Sequence, residues 1–197
     1  GCITHPDHIT ITSGCQEAIF LTLKSVTKPG DIVAIESPTY YGLLQVIDTL
    51  GLKALEIPTD PRTGISITAL QLALEQWPVK ACVVVPNFNN PTGALMPDDA
   101  KRALVTLINR HEDVTLIEDD IYGDLFFDGR RPGLLKSLDI KGNVVHCASF
   151  SKTLSPALRI GWIASEALSD TVQYQKFVTN CATNTLGQLT VSDLLAS

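Results

Sequence analysis

Short runs of Val, Ile and other apolar residues alternate along the chain with longer segments in which apolar residues recur every three or four positions. The short runs are typical of buried β-strands, and the longer periodic segments predict amphipathic helices. The pattern predicts seven strands, which are Ile9–Thr12, Ile32–Glu36, Lys53–Pro58, Ala81–Val85, Val114–Asp119, Asn143–Ser149 and Ile160–Ala164.

Helical periodicity fills most of the intervals between these strands. The predicted helices are Gln16–Ser25, Tyr41–Leu50, Thr68–Gln76, Asp98–His111 and Glu166–Asn180, and another begins near Thr185. The sequence Thr68-x-x-Gln71 resembles a capping box, which would begin the third helix. Because strands and helices alternate throughout, we expect an α/β domain of three layers (α/β/α), with helices on both faces of one mostly parallel sheet.

The last two predicted strands follow each other too closely for a helical crossover. Only the segment from Phe150 to Ile160 joins them, whereas parallel neighbours need a connection of about a dozen residues or more. The seventh strand is therefore predicted to run antiparallel. The expected sheet has seven strands, of which one is antiparallel.

Composition and charge exclude several classes of protein. The chain has 197 residues, 45% of them apolar, which is typical of one globular domain. Its formal net charge is −6 and no basic cluster is longer than an adjacent pair such as Arg130–Arg131, which argues against nucleic-acid binding by this segment. The five cysteines include no C-x-x-C pair and favour reduced thiols in a cytoplasmic protein. No apolar run approaches the length of a membrane span, and the histidines have no metal-ligand spacing, so we assign no metal site.

Candidate chemistry should lie at the carboxyl ends of the strands, where open α/β sheets bind their ligands. The turn Ser13-Gly14-Cys15-Gln16 follows the first strand and opens a helix, whose free N–H groups and dipole suit a phosphate. Most such turns serve only as helix caps. Tyr40 follows the second strand, where its ring could stack on a planar ligand or pack over the sheet.

Two further loops carry more polar side chains than turns require. The loop Val85–Gly93 holds three asparagines, which turn chemistry explains only in part. The fifth strand ends on Glu118-Asp119-Asp120, and a carboxylate at the end of a buried strand is costly unless it meets a cation. A solvated acidic loop and a magnesium site are the alternatives there.

A lysine among hydroxyl groups follows the sixth strand. Lys152 comes directly after Ser149-Phe150-Ser151, and Arg159 lies seven residues further on. Most lysines lie on the protein surface. The neighbouring hydroxyl groups and Arg159 are therefore what makes Lys152 a candidate site residue.

These loops, in this order, resemble the large domain of fold-type I pyridoxal 5′-phosphate (PLP) enzymes, the class I/II aminotransferases. The most specific parts are Asn90-Pro91-Thr92-Gly93, Asp119-x-x-Tyr122 and Ser149-x-Ser151-Lys152 with Arg159, and the resemblance spans nearly the whole chain. It implies that PLP is the cofactor and that Lys152 is the Schiff-base lysine, which also moves a proton during catalysis.

The same resemblance implies roles for the other loop residues. Asp119 would pair with the pyridine nitrogen, Asn90 and Tyr122 with the phenolic oxygen, and Tyr40 would stack on the ring. The phosphate cup would comprise Gly14, Cys15, Gln16, Ser149, Ser151 and Arg159. The family usually has Ser or Thr at the position of Cys15, so one side-chain phosphate contact is weakened. A reactive thiol at a helix N-terminus is the alternative interpretation of Cys15.

A narrower resemblance links the chain to MocR-type regulators of the GntR superfamily. The segments Ser37–Leu44, Thr59–Gly64, Pro86–Pro91 and Phe150–Leu154 carry it. It implies an aminotransferase-like domain that senses PLP or an amino-acid-like effector, and DNA binding only through a winged helix-turn-helix domain ahead of this segment. The alternatives are a working aminotransferase, which transfers an amino group from an α-amino acid to a 2-oxo acid, and a sheet domain without a cofactor.

The chain is also expected to be part of a longer protein. We interpret residues 1–197 as the PLP-binding large domain, without an N-terminal segment or the C-terminal small domain. A homodimer is expected in the full protein, as is a cytoplasmic location. The segment alone should show little or no transaminase turnover, and an apolar face around Val178 to Leu195 should be exposed.

Overall fold

The computed structural model describes residues 2–127 and 129–197 and builds them around one sheet of eight strands. The strands are β1 (Ile9–Thr12), β2 (Ile32–Ser37), β3 (Lys53–Asp60), β4 (Gly64–Ile65), β5 (Val79–Val84), β6 (Thr115–Asp119), β7 (Val144–Ser149) and β8 (Gly161–Ala164). Their order across the sheet is β1-β8-β7-β6-β5-β2-β3-β4. All seven strands predicted from the sequence are therefore present.

Strand directions confirm the mostly parallel sheet. The five central strands β3, β2, β5, β6 and β7 pair in parallel. The predicted antiparallel strand is β8, which runs against both β7 and β1. The sheet also has one strand that the pattern did not predict, the two-residue β4, which pairs antiparallel with the end of β3. A strand of two residues is too short to show a period of two, so it carries no sequence signal of its own.

Six α-helices cover the sheet in the described part of the chain. They are α1 (Cys15–Val26), α2 (Tyr41–Thr49), α3 (Ile67–Gln76), α4 (Asp98–Ile108), α5 (Ser169–Asn180) and α6 (Thr185–Ala196). The expected capping box at Thr68 is wrong, because α3 begins earlier and Ser66 is its N-cap. The Ser66 hydroxyl accepts a hydrogen bond from the backbone N–H of Ala69 at 3.3 Å. None of these helices is long and apolar enough to cross a membrane.

Two apolar cores, one on each face, fix the position of the sheet. Neighbouring residues of one strand point to opposite faces, so Ile117 packs in the core that contains α1 and α2, and Leu116 packs in the core that contains α3 and α4. Both side chains are completely buried. Full burial of such a side chain stabilises the fold by about 1.5–3 kcal/mol. The central strands are thus held from both sides, and their carboxyl ends form a rigid edge on which the loops converge.

Candidate functional site

A cavity of about 250 Å³ lies at this edge of the sheet, between the carboxyl ends of β6 and β7 and the start of α1. Its lining includes most of the site residues predicted from the sequence, which are Cys15, Gln16, Tyr40, Asn90, Asp119, Tyr122, Ser151, Lys152 and Arg159. The two remaining residues, Gly14 and Ser149, lie directly behind this lining. Gly14 packs against the Arg159 guanidinium, and the buried Ser149 hydroxyl accepts a hydrogen bond from the backbone N–H of Ser151 at 3.1 Å.

Asp119, the last residue of β6, contributes the acid of the cavity. Burial raises the pKa of its carboxyl group from an ordinary 3.8 to about 6, although hydrogen bonds from Cys15 and from the Ile121 N–H oppose the shift. The thiol of Cys15 donates to Asp119 Oδ1 at 3.1 Å. No Lys or Arg forms an ion pair with this carboxylate within the described residues. A cationic group bound in the cavity would therefore stabilise its charged form.

Cys15, the first residue of α1, uses its side chain to bond the acid of the cavity. Its side chain is buried at the start of α1 and points to Asp119. Burial, together with the nearby charge of Asp119, raises the pKa of the thiol well above its ordinary value of 9.0. A thiol with a raised pKa remains protonated, so the interpretation of Cys15 as a reactive thiolate is not favoured.

Arg159 and the start of α1 form the basic side of the cavity. Arg159 has left-handed backbone geometry, with φ of 53°. Its Nη2 donates to the carbonyl oxygen of Ser13 at 2.6 Å, and its Nη1 donates to the hydroxyl of Ser151 at 3.3 Å. Gly14 has φ of +94°, and a Cβ atom at this position would collide with the guanidinium group. Glycine is therefore required at Gly14, and the arginine lies next to the free N–H groups at the N-terminus of α1.

The amine and the amide lie on the same side of the cavity. Asn90 Nδ2 donates to the hydroxyl of Tyr122 at 3.4 Å, and Lys152 Nζ lies 5.9 Å from the centroid of the Tyr122 ring. Lys152 is exposed to the cavity and to solvent. A group bound in the cavity could thus contact an amine, an amide and a phenol at once.

Tyr40 lies at the N-terminus of α2, where its ring closely approaches the helix backbone. A Cβ atom at Gly42 would collide with Tyr40 Cε1, so any larger residue there would force the ring to move. Gln16 ties the same helix to α1, because its Nε2 donates to the carbonyl oxygen of Gly42 at 3.0 Å. Burial raises the pKa of the Tyr40 phenol, which therefore stays neutral. The helix start and the aromatic ring are in this way held beside the cavity.

The three asparagines of the loop after β5 have separate partners. Asn90 alone of the three lines the cavity. Asn87 Nδ2 donates to Asp120 Oδ1 at 2.6 Å, and Asn87 Oδ1 accepts from Lys101 Nζ at 2.6 Å. Asn89 is buried and bonds within its own loop and to Glu36. The surplus of asparagines noted in the sequence therefore reflects mainly the internal support of the loop.

The acids beside Asp119 are occupied by other protein groups. Asp120 Oδ2 pairs with Arg131 Nη2 at 2.5 Å, and the Arg131 Nε pairs with Asp124 at 2.5 Å. Glu118 accepts hydrogen bonds from the backbone N–H groups of Leu135 at 2.7 Å and of Lys136 at 3.1 Å. No cluster of three or more potential metal ligands occurs among residues 2–127 and 129–197. Protein groups therefore partner Glu118 and Asp120, and Asp119 alone of the three acids faces the cavity.

Sequence reasoning missed Lys101 and Arg131, which form hydrogen bonds with the polar groups around the end of β6. Lys101 is 1% exposed and its Nζ also donates to the carbonyl oxygen of Gly133 at 2.8 Å. A signal for it does exist, since Lys101 occupies the same helical stripe as the buried residues Leu104, Val105 and Ile108. A lysine on the apolar face of a helix indicates a buried polar partner.

Comparison with known proteins extends this description. The sequence profile of the family "Aminotransferase class I and II" matches residues 3–197. The HTH-type transcriptional regulator YjiR of Escherichia coli is 51% identical over 90% of this chain and 37% of its own length. The HTH-type transcriptional regulator YdcR of the same organism is 43% identical over all of this chain and 42% of its own length.

A solved structure shares the fold. The α-aminoadipate aminotransferase LysN of Thermus thermophilus superimposes with a TM-score of 0.91 and 31% identity, over 98% of this chain and 50% of its own. The chain thus spans half or less of the length of these three proteins. Because the family profile covers nearly all of the sequence, the chain belongs to the class I and II aminotransferase family.

Proposed function

We propose that this chain is the PLP-binding, aminotransferase-like effector domain of a MocR-type regulator in the GntR superfamily. The observation that carries the proposal is the convergence of an amine, a half-buried carboxylate and an arginine at a helix N-terminus in one cavity of about 250 Å³. The similarity of the chain to two HTH-type transcriptional regulators supports the regulatory part of the proposal. LysN, whose structure holds N-(5′-phosphopyridoxyl)-L-leucine, supports the cofactor.

The chemistry of the cavity fits PLP group by group. A phosphate would accept hydrogen bonds from the Arg159 guanidinium and from the N–H groups that begin α1. A protonated pyridine nitrogen would donate to Asp119 and lower the pKa that burial has raised to about 6. Asn90 and Tyr122 would bond the phenolic oxygen, and Lys152 would supply the amine.

When bound, PLP supplies an aldehyde that takes up an amine and a ring that withdraws electrons from the attached carbon. The residues of the chain hold this group and move protons around it. Asp119 keeps a proton on the ring nitrogen, and Tyr40 limits the access of water to one ring face. Lys152 would supply the amine that accepts or returns a proton at the α-carbon of the ligand.

The second candidate is a class I/II aminotransferase that transfers an amino group from an α-amino acid to a 2-oxo acid. The likeness to LysN favours it, and so does the presence of Lys152, Asp119 and Tyr122 in one cavity. Both candidates use the same cavity, so the residues near it do not separate them. A basic winged helix-turn-helix domain upstream in the full gene product would favour the regulator.

The partners of the proposed regulator follow from the same interpretation. The effector would be an amino-acid-like small molecule that reacts at the site of Lys152. DNA would be bound outside this acidic chain, whose net charge is −6. We also propose a homodimer for the full protein. A cytoplasmic location accords with the free state of all five cysteines.

The test is a titration of the purified chain with PLP, followed by reduction with borohydride and peptide mapping by mass spectrometry. We expect a yellow absorbance band and a reduced label on Lys152. Addition of single amino acids to the loaded protein then probes the effector, because a reacting amino acid shifts the band. A chain that keeps neither an absorbance band nor a reduced label after unbound PLP is removed from a millimolar incubation would refute the cofactor assignment, and the function with it.

A further inference from the structure

A buried glutamate lies beneath the asparagine loop, outside the lining of the cavity. Glu36, near the end of β2, is 1% exposed. Its Oε2 accepts hydrogen bonds from the backbone N–H of Val85 and from Asn89 Nδ2, both at 2.8 Å. Its Oε1 has no hydrogen-bond partner among the described residues. The two donors that Glu36 binds both belong to the segment that leads into Asn90.

Asn89 connects this glutamate to the turn that follows. Its Oδ1 accepts from the backbone N–H of Thr92 at 3.2 Å and from the Thr92 hydroxyl at 2.9 Å. Its backbone N–H donates to the carbonyl oxygen of Ala94 at 2.8 Å, and its own carbonyl oxygen accepts from Gly93 at 2.6 Å. The turn therefore closes around Asn89. Asn90 is the next residue, so the orientation of Asn89 determines where the Asn90 amide can point.

We propose that Glu36 is a positioning residue, which holds the Asn90 amide against Tyr122 by way of Asn89. This inference rests on the proposed function, in which Asn90 and Tyr122 bond the phenolic oxygen of PLP. Glu36 itself does not line the cavity. It thus acts on the cofactor only through the loop.

The required property of Glu36 is its acceptor oxygen rather than its charge. Two N–H groups converge on Oε2, and no Lys or Arg forms an ion pair with Glu36 in the described part of the chain. Burial, and more weakly the charge of Asp119, raise the pKa of Glu36 to about 7, against the two hydrogen bonds. A proton can reside on Oε1 while Oε2 still accepts. The Glu36→Gln variant, whose amide oxygen can take the place of Oε2, should therefore still hold the loop.

The experiment compares Glu36→Gln, Glu36→Ala, Asn89→Ala and the double alanine variant, with Glu75→Ala as an exposed control. Hydrogen exchange at the backbone amides of position 89 and of Gly93, measured without cofactor, reports how readily the loop opens. We expect each alanine variant to speed this exchange about tenfold, the loss expected for one hydrogen bond to a buried carboxyl group. The double variant should speed the exchange by less than the product of the two single effects, because the bond between Glu36 and Asn89 is lost in both single variants.

The second measurement is the pH midpoint of the absorbance band of the bound cofactor. Glu36→Ala and Asn89→Ala should move this midpoint in the same direction, by about half a unit or more, because the phenolic oxygen loses an oriented donor. Glu36→Gln and Glu75→Ala should leave the midpoint unchanged. If Glu36→Ala does not fold, Glu36→Leu, which keeps the size of the side chain and removes the acceptor oxygen, replaces it in both measurements.

Two failures can be told apart. A wild-type chain that takes no PLP refutes the proposed function, and with it the role of Glu36 towards the cofactor, whatever the exchange shows. A wild-type chain that binds PLP on Lys152, with an absorbance midpoint that none of the variants moves, overturns the positioning role alone. The positioning role is also overturned if the alanine variants lower the melting temperature but leave the exchange of the loop unchanged.

Discussion

Asp119 and Asp120 are adjacent in the sequence, yet they end in opposite environments. Asp120 is buried on the side of α4, where Asn87 and Arg131 bond its two oxygens. Lys101 in turn donates a hydrogen bond to Asn87. Asp119 lies at the floor of the cavity, where the weakly donating thiol of Cys15 is the one side chain of the described residues that bonds it.

The difference separates a structural carboxylate from a functional one. Burial raises the pKa of both groups, but at Asp120 the hydrogen bond from Asn87 and the pair with Arg131 oppose this shift. Asp119 has no such cation in the described part of the chain, and its pKa reaches about 6. A half-buried acid with a raised pKa and few partners, next to an open cavity, is suited to bind a positively charged ligand group. The fully partnered acid one residue later holds the loop in place.

The largest expected effect is the loss of covalent PLP attachment in Lys152→Ala. Among the residues that the structure describes, no other lysine lines the cavity, so no neighbouring amine can take its place. The domain should remain folded, because the side chain of Lys152 is exposed. Borohydride reduction and mass spectrometry measure the attachment, with Lys28→Ala as the control for an exposed lysine elsewhere. A reducible adduct that persists in Lys152→Ala would contradict the assignment.

The second prediction compares the two acids by their effect on stability. Asp120→Ala should lower the free energy of unfolding by about 3 kcal/mol, since it removes a buried carboxylate that bonds the half-buried Arg131 and the buried Asn87 amide. Asp119→Ala, without PLP, should not lower it at neutral pH, because the burial that raises the pKa of Asp119 makes its charged form unfavourable and the acid has few partners to lose. Urea denaturation at neutral pH measures both. Equal losses in the two variants would remove the distinction drawn between them.

The third prediction concerns cofactor retention, for which the substitution of Asp119 should matter more than that of Asp120. Asp119→Ala should weaken PLP binding by about tenfold or more, the loss of a charge-assisted hydrogen bond. It should also abolish any transamination or racemisation, because an unprotonated ring nitrogen withdraws electrons poorly. Equilibrium dialysis measures retention, and an amino-acid exchange assay measures the chemistry. Asp119→Asn keeps the size of the side chain and serves as the matched variant; its full retention would show that charge is not needed.

A fourth prediction follows from the raised pKa of Asp119. Between an unfolded value of 3.8 and a folded value of about 6, the folded chain holds more protons than the unfolded chain. Stability contributed by this group is therefore present at low pH and falls as the pH rises through this window. The wild type should lose stability relative to Asp119→Asn from about pH 4 to pH 6 in urea titrations without PLP. Parallel curves for the two proteins would show that the pKa is not raised.

The alternation of strands and helices predicted the fold well, because two buried faces impose a strong periodic pattern. The pattern failed at β4, whose pairing depends on the turn that precedes it, and at the start of α3, where Ser66 caps the helix in place of Thr68. The strand-end rule located the cavity residues. It could not assign the three asparagines or the two acids to separate partners, since those depend on Lys101 and Arg131, which are distant in sequence.

The smallest effect concerns Cys15, whose raised pKa makes it a donor rather than a nucleophile. Iodoacetamide reacts with thiolates, so at pH 8 it should label exposed Cys181 well before buried Cys15. Mass spectrometry of the labelled peptides follows both sites in one sample. Cys15→Ser retains a donor to Asp119 and should retain PLP, whereas Cys15→Ala should bind PLP slightly less tightly, by no more than a few-fold. If Cys15 were labelled as fast as Cys181, its thiol would be ionised and could not donate to Asp119, and the carboxylate at the cavity floor would have to be held by the backbone N–H of Ile121 alone.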